Sequence, residues 1–143
     1  GNGDIDSPQK ALEYKNRYGV DGIMIGRAAI GYPWIFREIK HYLNTQTILP
    51  SPTLHERIEV CKTHLKKSVE WKGPKVGIFE MRRHYTNYLK GLPGIKDFRL
   101  RLVTLPTAED INEVLDQINE HYKDYEFERM PIEIINYHEK CPL

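Results

Sequence analysis

Cysteine is scarce in this chain. Its 143 residues hold two, Cys61 and Cys141, far apart and without the close spacing of a structural zinc site. That excludes a disulfide scaffold, argues against a metal centre, and fits a reducing, cytoplasmic setting. Long apolar runs are missing too. No stretch approaches the ~20 residues needed to span a bilayer, and no signal-peptide pattern is visible. Charge of one sign is not in excess, since the formal net charge is +1. Internal repeats and low-complexity tracts are absent. The histidines form no cluster, and no nucleophile–base pair or paired catalytic carboxylates can be read. What remains is an ordinary globular composition, 40% hydrophobic and 29% charged. Its length suits one domain, or one domain with a remnant of another.

Two glycine-bearing turns stand out. The first is Gly1-Asn2-Gly3-Asp4-Ile5; the second is Gly22-Ile23-Met24-Ile25-Gly26-Arg27-Ala28-Ala29, running on to Pro33-Trp34-Ile35-Phe36. Between them Ser7-Pro8 reads as the N-cap and first position of a helix that ends near Tyr18 and is closed by Gly19. Val20 to Ile25 reads as a short apolar strand. Turn, helix, strand, turn, helix is the repeating unit of a parallel α/β fold. In many (β/α)8 barrels two successive turns of this kind form a phosphate site, because glycine lets backbone N–H groups approach an anion. Asn2, Gly3, Asp4, Gly26 and Arg27 are the candidate anion contacts, with Arg27 supplying a charged fork. The alternative is a pair of plain βα-turns with Arg27 on the surface. A complete barrel needs ~250 residues, and the chain opens directly on the first turn. It therefore reads as the C-terminal piece of a longer protein.

Pro33 opens a second helix, with Trp34, Ile35, Ile39, Tyr42 and Leu43 as its apolar face. Asn44 to Pro52, containing Pro50-Ser51-Pro52, reads as a linker. Beyond it the pattern is helical. Thr53-Leu54-His55-Glu56 is a capping box. Leu54, Ile58, Cys61, Leu65 and Val69 follow at helical spacing, which makes Cys61 a buried structural residue. Gly73-Pro74 breaks that helix and starts another, carrying Ile78, Met81, Tyr85, Tyr88 and Leu89 and ending at Gly91. A short helix over Lys96 to Val103 follows. A last helix is capped by Thr107, with Ile111, Val114, Leu115, Ile118 and Tyr122 inward. These make a small bundle of three to four helices.

Charge is unevenly placed on that bundle. Residues 72–101 carry eight Lys or Arg against Glu80 and Asp97, whereas residues 102–143 carry three against ten acids. Trp71, Phe79, Tyr85, Tyr88 and Phe98 are interleaved with the basic block. Cations neutralise phosphates and aromatic rings stack on unpaired bases, so the block is the place for a nucleic acid. Aromatics at helical spacing also form core, and Phe79, Tyr85 and Tyr88 are expected to do so at least in part. His84 is either a phosphate contact or a packed histidine.

The two turns and the Gly26-Arg27-Ala28…Pro33-Trp34 run resemble the C-terminal barrel motifs of the tRNA-dihydrouridine synthases. Met81-Arg82-Arg83-His84-Tyr85, Tyr88-Leu89-Lys90-Gly91 and Arg99 resemble that family's C-terminal helical domain, with the bacterial nitrogen-regulation-related branch most similar. The resemblance covers residues 1 to about 122. It implies a chain that is mainly α. Residues 1–49 would be the last one or two βα units of an FMN-binding TIM barrel, residues 50–122 a helical tRNA-binding domain, and residues 123–143 an acidic tail. In this family NADPH reduces the flavin, hydride passes to C6 of a tRNA uracil, and a cysteine acid protonates C5. The protein orients a cofactor that supplies the chemistry, and the target base leaves its stack. By motif match Asn2, Gly3, Asp4, Gly26 and Arg27 are FMN-phosphate contacts. Arg82, Arg83, His84, Lys90 and Arg99 hold the tRNA backbone.

The family's Asn-x-Gly-Cys-Pro loop does not occur in this sequence, and neither Cys61 nor Cys141 lies in its context. No catalytic residue, no metal ligand and no membrane segment is assigned. The resemblance therefore implies a partial FMN site and a polypeptide inert on its own. An apolar strand without its barrel neighbours is expected to pair between copies or repack on the helices. The rival readings are a different FMN-binding barrel oxidoreductase acting on a small molecule, similar to dihydroorotate dehydrogenase, and a non-enzymatic helical RNA-binding module.

Overall fold

Five α-helices carry the described fold, in a computed structural model that describes residues 4–126. They are α1 (Pro8–Tyr18), α2 (Ile35–Thr45), α3 (Leu54–Tyr88), α4 (Lys96–Thr104) and α5 (Ala108–His121). A single 3-10 turn spans Arg27–Ala29. Asn2, Gly3 and Cys141 lie outside the described residues, as does the tail beyond residue 126.

The helix ends follow the capping chemistry read in the sequence. Ser7 Oγ accepts from the Lys10 N–H, and Gly19 closes α1 at φ 59, a left-handed conformation that only glycine adopts without cost. Thr53 Oγ1 accepts from the Glu56 N–H at 3.2 Å while the Glu56 carboxylate accepts from the Thr53 N–H at 2.7 Å. Thr107 caps α5 by accepting from the Asp110 N–H, and its hydroxyl donates to the Asp110 carboxylate.

The expected strand is corrected. Val20–Ile25 has no ladder partner, and no strand occurs among the described residues. A strand exists by pairing, and among the described residues none pairs with this one. Its alternation survives without the ladder: Ile23 and Ile25 pack on a small core formed by Ile5, Ala11, Ile35 and Ile39, while Met24 points to water. This first unit is α1 against α2, closed by the loop between them. Helix α2 starts two residues later than expected, at Ile35. Trp34 leaves the expected apolar face and packs instead on the second core, against Tyr88.

The second core is larger. Within α3, Gly73 (φ 78, ψ 164) interrupts the helix ahead of Pro74, so α3 is a hairpin of two limbs, residues 54–72 and 74–88. Ser68 Oγ donates to the Gly77 carbonyl at 3.1 Å. A Cβ on Gly77 would stand 2.6 Å from the Ser68 carbonyl oxygen. The limbs thus touch through their backbones, which only glycine permits. Leu54, Ile58, Cys61 and Leu65 of the first limb meet Ile78, Met81, Tyr85 and Tyr88 of the second. Helix α5 lays Ile111, Val114, Leu115 and Ile118 across them, and α4 adds Leu102. Phe79 departs from the expectation that it helps form core. It faces away from this surface and is 66% exposed.

Candidate functional site

Asp4 and Arg27, one residue from each glycine-bearing segment, meet in space. The Asp4 carboxylate receives the Arg27 guanidinium in a two-pronged ion pair, with Nε donating to Oδ1 at 3.0 Å and an Nη donating to Oδ2. Asp4 sits at φ 50, in the left-handed region. Its carbonyl is held from the other side by Lys10 Nζ at 2.8 Å. The hydrogen bond and charge of Asp4 push the Arg27 pKa up. Both side chains are open to solvent, so the pair is one an incoming anion can enter. Gly26 leads directly into the 3-10 turn at Arg27, whose first N–H groups have no partner within the turn itself. A guanidinium and an ammonium thus lie beside a solvent-open turn, the kind of groups that bind an anion. The Asp4 carboxylate is the feature that a phosphate would have to displace.

The cationic candidates lie on the helical unit. Arg82, Arg83 and His84 are on the second limb of α3, Lys90 is in the turn beyond it, and Arg99 is on α4. Among the described residues Arg82, Arg83, Lys90 and Arg99 make no salt bridge, while Lys62, Lys66 and Lys72 are each matched to a carboxylate. Arg82 Nε and Arg99 Nε are shielded from water and have no hydrogen-bond partner. Unmatched guanidiniums on a folded surface favour anions.

His84 is not a free surface residue. Its ring stacks edge-on against His64, with centroids 4.6 Å apart, and its Nε2 lies 3.3 Å from Arg83 Nε, which donates to it. His64 Nδ1 is 3.2 Å from the Tyr88 hydroxyl. Burial, then His64, then Arg83 push His84 down to about 4, against a smaller opposing pull from Glu80. Burial and Arg83 lower His64 as well. Both shifts favour the uncharged imidazole, so His84 is suited to packing and to orienting Arg83 rather than to carrying charge. Cys61 is fully buried and its thiol is pushed up to about 12 by that burial, which makes it a poor nucleophile. Among the described residues no group of His, Cys, Asp or Glu could hold a metal ion, and no helix is long and apolar enough to cross a membrane.

Sequence reasoning missed the joint between the two units. Asn87 Nδ2 donates to the Ile30 carbonyl at 2.6 Å. Gly31, at φ 68, lies so close to the second limb that a Cβ would meet the Asn87 Cβ and the His84 carbonyl at 2.7 Å. Arg57, 7% exposed, donates to the carbonyls of Pro52 and Lys90 and lies over the Tyr32 ring. The Tyr32 hydroxyl donates to Glu38 at 2.7 Å. One signal for Arg57 was available: it occupies the Leu54–Ile58–Cys61 face, where a charge needs partners.

A family model described as dihydrouridine synthase matches residues 1–124, which includes both turns and the cationic helices. The chain belongs to the dihydrouridine synthase family. It is 47% identical over 108 residues to a tRNA-dihydrouridine synthase B of Pseudomonas putida, covering 76% of this chain and 32% of that protein. A Salmonella typhimurium protein of the same name is 37% identical over 124 residues, 87% of this chain and 38% of its own length. A probable tRNA-dihydrouridine synthase of Rickettsia prowazekii is 36% identical over 121 residues, covering 85% and 36%. The chain thus spans about a third of the length of the curated relatives it matches.

Proposed function

We propose that this chain is the C-terminal part of a flavin-dependent tRNA-dihydrouridine synthase, which reduces uridine to dihydrouridine in tRNA with FMN and NADPH. Residues 1–49 are the end of the FMN-binding barrel, residues 50–122 are the tRNA-binding unit, and residues 123–143 are an acidic tail. The observation that carries the reading is the set of unmatched cations on α3 and α4 in a member of this family. Arg82, Arg83, Lys90 and Arg99 contact RNA phosphates, and His84 sets the direction of Arg83.

The approach of Arg27 to Asp4 brings the two segments together, which supports a phosphate site there once the Asp4 carboxylate is displaced. Asn2, Gly3, Asp4 (through its backbone N–H), Gly26 and Arg27 are the residues of this chain that would hold the FMN phosphate, with Lys10 beside them. FMN, when bound, supplies the hydride chemistry. This chain's residues bind its anion and seat the RNA. The same reading places the enzyme in the cytoplasm, and the 143-residue polypeptide alone performs no uridine reduction. The exposed side of the Val20–Ile25 segment, Met24 included, is where two copies of the isolated polypeptide would meet.

The test is binding of the 143-residue chain to a tRNA transcript across a salt series. Four phosphate contacts give a slope of log affinity against log salt of roughly −3 to −4. Replacing Arg82 and Arg83 by Gln makes that slope shallower by about two. Salt-independent binding, or none, refutes the assignment, and so does dihydrouridine formation by this polypeptide alone for the claim of inertness.

A further inference from the structure

We propose that Trp71 and Phe79, at the closed end of the α3 hairpin, are a stacking platform for an unpaired base of the RNA. The proposal rests on the RNA-binding reading and adds a recognition element to it. Trp71 is 81% exposed and Phe79 is 66% exposed, more than any other large apolar side chain among the described residues. Neither serves the core. The second limb packs through Gly77, Ile78, Met81, Tyr85 and Tyr88. Phe79 lies on the opposite side, at helical spacing from Val76, Arg82 and Arg83.

Each ring carries a cation. Lys72 Nζ is 4.6 Å from the centre of the Trp71 ring, and Arg82 Cζ is 5.4 Å from that of Phe79. Lys72 also pairs with Glu80 across the hairpin, so one ion pair ties the limb bearing Trp71 to the limb bearing Phe79. Within residues 71–83 the charges are Lys72, Lys75, Arg82 and Arg83 against Glu80 alone. A polyanion that also offers free aromatic faces matches this surface, and a nucleic acid with unpaired bases is such a partner. A continuous duplex presents phosphates but keeps its base faces stacked. The rings therefore distinguish looped RNA from paired RNA, a task the unmatched guanidiniums cannot perform.

The experiment measures affinity of the 143-residue chain, by fluorescence anisotropy, for a tRNA transcript and for a fully paired RNA duplex of equal length. Trp71→Ala and Phe79→Ala are each expected to weaken tRNA binding about 5- to 100-fold, with duplex affinity and the salt slope unchanged. Trp71→Phe and Phe79→Tyr restore binding, because the ring face is what acts. Trp71 emission is quenched by the tRNA and not by the duplex. Thermal melting of the alanine variants matches the parent, since both side chains are exposed. If the parent binds tRNA with steep salt dependence and the alanine variants bind equally well, the platform is overturned and the RNA-binding reading stands. If the parent binds no tRNA, that reading fails and the platform with it. Equal losses for tRNA and duplex also overturn the platform.

Discussion

Substituting Gly77 by Ala tests the architecture of the α3 hairpin by the sign of its effect. On an isolated helix the change stabilises, because alanine is favoured over glycine by about 1 kcal/mol. Here the added Cβ would stand 2.6 Å from the Ser68 carbonyl oxygen, 2.7 Å from its carbonyl carbon and 2.8 Å from Val69 Cα. All three are backbone atoms, so no side chain can rotate away and the limbs must part. Parting them loosens Ile78 and Met81 from Cys61 and Leu65 and stretches the Ser68–Gly77 hydrogen bond. Overpacking of this kind costs about 1–3 kcal/mol. After subtracting the propensity gain, a net loss of up to about 2 kcal/mol is expected, or up to roughly 8 °C in Tm for a chain of this size. Gly22→Ala is the control: no atom lies within 4 Å of its added Cβ, and its φ is not positive, so the expected change is within about 0.5 kcal/mol. Gly73→Ala separates strain from overlap. Nothing crowds that site, yet its φ of 78 and ψ of 164 fall where only glycine is comfortable, a cost of order 1–3 kcal/mol. The assay is thermal unfolding followed by far-ultraviolet circular dichroism. A Gly77→Ala protein more stable than the parent by about 1 kcal/mol, the full propensity gain, would refute the backbone-to-backbone packing of the limbs.

Acidification should weaken the fold through His84. Its folded pKa of about 4 lies below the unfolded value of about 6.5, so stability is complete above about pH 6.5. It is lost as the pH falls toward 4, where the unfolded chain takes up a proton that the folded chain resists. At 1.36 kcal/mol per pKa unit, discounted for partial solvent access, the loss is about 1–2 kcal/mol. His84→Gln flattens it, and a Tm equal at about pH 7.5 and about pH 5 would contradict it. Asn87→Ala removes the donor to the Ile30 carbonyl. It should cost about 1–3 kcal/mol and speed proteolysis in the 44–52 linker; unchanged proteolysis would show that the joint lies elsewhere. Asp4→Asn should leave Tm unchanged, because the Arg27 pair is exposed. In full-length enzyme it should strengthen flavin-phosphate binding by freeing the fork, and weaker binding would mean that Asp4 positions Arg27 instead.

Local signals were the legible ones. Ser7-Pro8, Gly19, Thr53 with Glu56, and Thr107 determine their helix ends with near neighbours, and a sequence displays near neighbours directly. The inward faces of α3 and α5 followed from spacing alone, since Ile58, Cys61 and Leu65, or Ile111, Leu115 and Ile118, lie on one side of a helix whatever they meet. Val20–Ile25 was read as a strand from its short apolar run, but a ladder is a property of two segments. Phe79 was read inward because aromatics usually are, and Gly77 two residues earlier decides otherwise: the limbs approach along the glycine side and leave Phe79 outside. The joint was illegible because Gly31, Arg57 and Asn87 acquire their roles only when distant segments touch. The turn that follows Gly26 was legible. That the Arg27 fork is taken by Asp4 was not, because it depends on the distance between two loops that are separated by a helix.

The joint gives the two candidate regions a common frame. If residues 4–45 were tethered to the helices only by the Pro50–Pro52 linker, RNA held by Arg82, Arg83, Lys90 and Arg99 would have no fixed direction relative to the Asp4–Arg27 turns. Instead the 30–32 loop is pinned at separate points: Asn87 on the Ile30 carbonyl, the backbone approach of Gly31, and Arg57 over Tyr32. The next residues add the Trp34–Tyr88 contact. Several non-collinear contacts fix an angle that a single hydrogen bond would leave free. Tyr88 also meets His64, whose ring backs His84 and so Arg83. One chain of packed rings therefore runs from the first unit to Arg83, the cation proposed to contact RNA. In the proposed enzyme a base must be delivered to the flavin within about half an ångström to react, and a joint that holds the two regions at a fixed angle is expected to contribute to that precision.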